Sequence, residues 1–121
     1  MNIFFSSPEP SECAKYLDDK RVIKMVLETA QILSTAVRST GLDVGYKATH
    51  VNHPSNVWAR ASKQNFKWLT MHGLYLAAEY NYRYGYSHKS GQVIFDLGLY
   101  FDRFPDIGLT PFANCAANKK Y

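Results

Sequence analysis

The sequence predicts an all-α domain built around one long helix, and three observations predict it. The chain has 121 residues, enough for one domain with one core and short for two. From Asp19 to Thr40 no Gly or Pro interrupts a helical pattern. Later Gly and Pro residues, Pro54, Gly85 and Pro105, fall where helices start and stop.

Asn2-Ile3-Phe4-Phe5 is a short apolar, extended segment suited to the core. Ser7 can cap a first helix with Pro8 and Pro10 in its opening turn, running to about Leu17. Asp18 or Asp19 can then cap the long helix, which Gly41 ends. Val22, Val26, Ala30, Leu33 and Val37 recur at helical spacing and define its buried stripe. At about 100° per residue, Lys20, Arg21, Lys24, Glu28, Gln31, Thr35 and Arg38 fall on the opposite side. Leu42 to Asn52 reads as a loop. Pro54 opens a further helical region to Tyr84, either two helices broken near Ser62 or one bent helix, with Gly73 as a weak point. A last helix is expected from His88 to Phe104, stopped by Pro105, with an irregular tail over residues 105–121.

Composition narrows the function classes. No run approaches the roughly 18 apolar residues that a membrane span needs. The N-terminus has no basic region followed by a cleavage site, so a cytoplasmic location is expected. Cys13 and Cys115 lie far apart without metal-type spacing; Cys13 reads as a small buried hydrophobe. A formal charge of +4, a pI near 9.1 and nine tyrosines suit an acidic, ring-bearing partner such as nucleic acid or a nucleotide, although many small proteins carry such a charge without one.

Three constellations carry chemistry. On the long helix, Arg21 and Lys24 precede Glu28 by two turns and one, so the three stack along one stripe. Such a carboxylate can accept a proton or stabilise a developing cation, and the cations can neutralise phosphate. An ordinary solvated ion pair shows the same pattern. The second is THVNHP, Thr49 to Pro54, followed by Trp58 and Arg60. His50 and His53 are spaced to share a metal if helical, but Pro54 places His53 in a loop and no nearby acid or Cys completes a set. His53 therefore reads as a cap or as a phosphate or base contact, and Arg60 as a phosphate contact or a surface residue. The third is YNYRYGYSHKS, Tyr80 to Ser90, whose tyrosines, Arg83 and His88 resemble a stacking surface. Tyr80 and Tyr84 share one helical face and Tyr82 and Tyr86 another, so at least one pair belongs to the core. A phosphate-binding Gly-rich loop, a zinc-type spacing and a nucleophile elbow are absent, so no cofactor and no metal is expected. A covalent nucleophile would then be a lysine or the N-terminal amine, whose pKa of about 8 leaves a useful neutral fraction.

The combination of LDDKR (Leu17 to Arg21), Lys24, Glu28, QIL (Gln31 to Leu33) and NHP (Asn52 to Pro54) with Trp58 resembles the pyrimidine-dimer DNA glycosylase family, which includes the phage UV-repair endonuclease V. The stretches DKRVIKMVLETAQIL, THVNHP and YRYGYSH are similar to those of phage relatives, and the resemblance covers about Met1 to Ser90. It implies a compact helical fold without a large sheet and a bifunctional glycosylase and abasic-site lyase acting on damaged pyrimidines. It implies an N-terminal amine that attacks the sugar C1′ to form an imine, and a glutamate that stabilises the sugar cation, here Glu28. The amine is that of Met1 or, after Met removal, Asn2. Lys20, Arg21, Lys24, Gln31, His50, His53, Trp58, Arg60, Tyr84 and His88 are then the expected DNA or nucleotide contacts. Two alternatives use the same face: a non-enzymatic phage protein that binds or sequesters a nucleotide or small nucleic acid, and a protein-interaction module whose polar face is only solvated.

Overall fold

A computed structural model of the chain describes residues 19–112, with side chains from Arg21 onward. That span contains four α-helices, α1 (Asp19–Arg38), α2 (Pro54–Ala61), α3 (Lys63–Tyr84) and α4 (Lys89–Gly98), then a 3-10 turn at Phe101–Arg103. The fold is all-α, with no strand among the described residues. The expected Ser7–Leu17 helix, the Asn2–Phe5 segment, Cys13, Cys115 and the end of the tail lie outside the described residues.

The stripe of Val22, Val26, Ala30, Leu33 and Val37 is fully buried. Burial extends well beyond it, to Met25, Thr29, Ile32, Ser34, Thr35 and Ala36. The helices α2, α3 and α4 all pack on α1, which is therefore the axis of the bundle. Thr35 corrects the expected open side: it is buried because Thr49, in the loop after α1, hydrogen-bonds over it. Hydropathy periodicity marks an apolar stripe, but a polar loop can bury a polar residue once both are hydrogen-bonded.

Arg38 belongs to the same loop. Its Nε donates to the Tyr46 carbonyl at 2.6 Å, and its guanidinium pairs with Asp43 and reaches the Gly45 carbonyl. A side chain expected on an open face is thus spent on holding residues 43–46 against the end of α1.

The region after Pro54 is two helices. Ser62 is extended (φ −153°, ψ 158°) and its hydroxyl accepts the Asn65 N–H at 2.9 Å, which stops α2 and caps α3. Gly85 closes α3 in the left-handed conformation, φ 79°. Gly73 proves to be a packing device: a Cβ there would lie 2.7 Å from Thr29 Cγ2 and 3.0 Å from Ile94 Cδ1. It is the point where α1, α3 and α4 meet. Arg103 holds Thr40 beyond the end of α1, and the Lys63 N–H at the start of α3 bonds the Pro105 carbonyl. With Gly73 on Thr29 between these ends, α1 and α3 run antiparallel.

The last helix ends at Gly98, six residues before the expected Phe104. Leu99 and Tyr100 bond back three residues, to Asp96 and Leu97, and the chain tightens into the 3-10 turn. The following segment is irregular yet anchored. Buried Asn65 donates to the Trp58 carbonyl at 2.8 Å and to Thr110 Oγ1 at 2.7 Å, and accepts the Thr110 N–H at 2.9 Å. Phe112 packs against both Trp58 and Trp68, with ring centroids 5.5 and 5.0 Å away.

Candidate active site

Glu28 sits midway along α1, and its side chain is only 12% exposed. Lys24, one turn earlier, places Nζ 3.6 Å from Glu28 Oε2 while remaining 74% exposed. Such a solvated pair contributes a few tenths of a kcal/mol, so the lysine's positive charge matters more as a field at the carboxylate than as a stabilising contact.

Among the described residues, the loop before α2 reaches the carboxylate's side of the helix. Two turns beyond Glu28, Thr35 Oγ1 donates to the Gln31 carbonyl at 3.0 Å and accepts the Thr49 N–H at 3.1 Å. This pins the start of THVNHP to the stripe that carries Glu28. His50 follows in the left-handed region, φ 50°. Its carbonyl accepts from the His53 N–H at 2.9 Å and from Asn56 Nδ2 at 2.7 Å, and its Nδ1 lies 2.8 Å from Thr49 Oγ1. His53, extended at φ −63° and ψ 140°, caps α2: its Nδ1 accepts the Ser55 N–H at 3.1 Å, with Pro54 in the first helical turn. With Nδ1 accepting, the neutral ring carries its proton on Nε2. Partial burial holds the His53 pKa below its ordinary 6.5; His50 pushes the same way, and Glu28 pushes against it. His53 therefore feels both the other imidazole and the carboxylate.

Of the expected site residues, the fold brings Lys24, Glu28, Gln31, His50 and His53 to one side of the molecule, where α1 meets the loop before α2. Arg21 is exposed on the same helix. Met1, Asn2 and the Lys20 side chain lie outside the described residues. Trp58 departs from the expectation of a contact residue: it is 5% exposed, edge-on to Trp68 at 5.9 Å, with its indole N–H directed to the Thr110 carbonyl at 3.4 Å. It belongs to the aromatic core with Trp68 and Phe112. Arg60 is also committed, donating to the Val51 carbonyl at 2.7 Å and bracing the loop from α2.

Tyr84 and His88 are not part of this group. Gly73 is level with Thr29, and Tyr84 lies eleven residues further along α3, about 16 Å of helical rise. There Tyr80 meets Tyr84 at 4.9 Å, Tyr86 at 5.6 Å and His88 at 4.8 Å. A hydrogen bond with Tyr86 holds the Tyr80 phenol above its ordinary pKa of 10. Tyr80 and Tyr84 are half-buried, whereas Tyr82 is 87% exposed, so the pair turned inward is the first. Beside this patch a cleft of about 390 Å³ between α3 and α4 is lined by Asn81, His88, Gln92 and Phe95 over small residues.

The sequence places Thr35 on the polar face and Thr49 at the head of THVNHP but does not show that they fasten the loop, and it does not single out Asn56, which holds His50. One signal was present. Asn56 lies one turn before Ala59 on the buried face of α2, and a polar residue there needs a partner inside the protein.

A half-sunk carboxylate on the axial helix, with a lysine 3.6 Å away and the His53 imidazole within its field, defines a class: a small helical protein with an acid, a cation and an imidazole gathered on one side. Compared with known families, residues 1–92 match the pyrimidine dimer DNA glycosylase family, and the chain belongs to that family. Membership supports a DNA-repair glycosylase function, with DNA as the substrate. Comparison with curated proteins and with solved structures finds no match. Among the described residues, no helix is long and apolar enough to cross a membrane, and no group of three metal-capable side chains occurs.

Proposed function

We infer that the protein excises damaged pyrimidines from DNA and then cleaves the strand, using its N-terminal amine as nucleophile and Glu28 as the carboxylate. The observation that carries this reading is the placement of Glu28: largely shielded from water, yet at the surface where α1 meets the histidine loop. In this mechanism the amine of Met1 or Asn2 attacks C1′ and the base departs with the electrons of the glycosidic bond. Negative charge at Glu28 stabilises the cationic character that develops on the sugar. Opening of the C1′–O4′ bond yields an imine, which acidifies the C2′ proton. Glu28 accepts that proton, and the C3′–O bond breaks by elimination. Lys20, Arg21 and Lys24 neutralise phosphates beside the lesion. Gln31 and His53 lie close enough to Glu28 to contact the sugar or base, and Tyr84 and His88 contact flanking DNA about 16 Å away along α3.

The test is borohydride reduction of the protein with a duplex carrying one pyrimidine dimer or one abasic site, read by intact mass. A covalent adduct at the N-terminal residue is expected. Folded protein that yields no adduct on either duplex overturns the reading. A second reading, binding of a nucleotide without turnover, is favoured by the cleft beside His88, where the exposed Phe95 ring and the Asn81 and Gln92 amides suit a nucleobase. Calorimetry with mononucleotides separates the two: saturable binding with the ligand recovered unchanged, and no adduct on DNA, supports the second.

A further inference from the structure

Among the described residues, His50 is the only non-glycine residue with a left-handed backbone. A side chain is crowded there, and such conformations persist where surrounding contacts over-determine them, often at functional sites. Those contacts are present on both sides. The His50 carbonyl is held by the His53 N–H and by Asn56 Nδ2, at 2.9 and 2.7 Å. Asn56 is buried on α2, so the donor is fixed to a helix rather than to the loop. Preceding His50, the Thr49 N–H is tied to Thr35 on α1. Two helices thus grip the loop across one strained residue. Glycine adopts this φ freely, yet the position carries an exposed imidazole. Its Nδ1 is engaged by Thr49 Oγ1, so Nε2 is the ring nitrogen left for a ligand.

We propose that His50 contacts the DNA strand in the Glu28 site, offering Nε2–H to a phosphate or sugar oxygen, and that Asn56 is the positioning residue that keeps it there against backbone strain. With Thr49 Oγ1–H donating to Nδ1, the neutral ring is the tautomer that donates from Nε2. The proposal rests on the reading of the protein as a DNA-acting enzyme.

The experiment follows cleavage of a duplex with one abasic site, in parallel with thermal unfolding, for wild type, His50→Gly, His50→Ala, Asn56→Asp and the His50→Gly/Asn56→Asp double variant. His50→Gly should melt no lower than wild type and above His50→Ala, reversing the usual advantage of alanine over glycine. It should nevertheless lose about tenfold in kcat/KM, mostly through KM, as one charge-assisted hydrogen bond to substrate disappears. Asn56→Asp keeps the side-chain shape and, with its carboxyl ionised at the alkaline end of the assay range, removes the donor. It should lose severalfold in the wild-type background and nothing further beside His50→Gly, since it acts through His50. Wild-type kcat/KM in His50→Gly, equal stability of the Gly and Ala variants, or an equal Asn56→Asp loss in both backgrounds each overturns the proposal. If Asn56→Asp does not fold, the His50 pair decides alone. A wild-type protein inert on the duplex overturns the functional reading and the proposal with it; an active wild type with an unaffected His50→Gly overturns the proposal only.

Discussion

Two helices of this protein begin with the same local device. His53-Pro54-Ser55 opens α2 and His88-Lys89-Ser90 opens α4. In each, the histidine is extended and its Nδ1 accepts the backbone N–H of a buried serine two residues on, at 3.1 and 3.0 Å. Histidine is not a favoured cap, so its use twice is notable. The surroundings separate the two. His53 follows a loop fastened to α1, is partly shielded, and feels both His50 and Glu28. His88 stands edge-on to Tyr80, beside exposed tyrosines at the far end of α3. Identical local geometry thus yields a helix cap in both places and a candidate acid–base group in one. What lies across from the ring decides its chemistry.

The sharpest test of that difference is on the carboxylate that only His53 senses. Glu28→Gln should lower cleavage of abasic-site DNA by about 10³-fold while leaving duplex affinity unchanged, because proton transfer at a positioned group is worth that order; single-turnover cleavage and anisotropy titration check the two halves. Next comes the cap itself. His53→Ala should lose about 1 kcal/mol of stability, measured by urea unfolding, whereas His53→Asn should restore most of it because asparagine caps well. Both should cleave about tenfold more slowly, the cost of one hydrogen bond to a charged substrate. Equal rates in wild type and His53→Asn would reduce His53 to a cap and make the two histidines equivalent.

A smaller effect is expected from pH. Folding lowers the His53 pKa, so as pH falls below about 6.5 the unfolded chain takes up that proton first. The stability that His53 contributes is therefore present above that pH and lost as pH drops through the folded value. The Tm of wild type should fall across this window more steeply than that of His53→Asn. The smallest effect belongs to the other cap. His88→Asn should leave the Tm unchanged and weaken binding to a long duplex by about twofold, as loss of a flanking, solvent-exposed contact does. A tenfold loss of cleavage in His88→Asn would show that the tyrosine patch reaches the lesion after all.

Much of the fold is legible in the sequence. The spacing of Val22, Val26, Ala30, Leu33 and Val37 located the core face of α1, Pro54 the start of α2, and Gly85 the end of α3, because each reports a local requirement of helix geometry. The packing roles of Gly73 and Gly98 are not legible in this way. Their role is to let Thr29 and Thr70 come close, and a neighbour distant in sequence leaves no local mark.

For the site, the residue types and their spacing put Glu28, Lys24 and Arg21 on one helical stripe and identified the family, since a 3.6-residue period and a set of motifs are properties of the chain itself. Tertiary structure decided the rest. It sank Glu28 beside a loop fastened by Thr35, bent that loop through a strained His50 held by Asn56, sent Trp58 into the core, and moved Tyr84 and His88 to a separate patch. Burial and the fields between charged groups depend on what packs across from a residue, and that is settled only when α2, α3 and the loop close around α1.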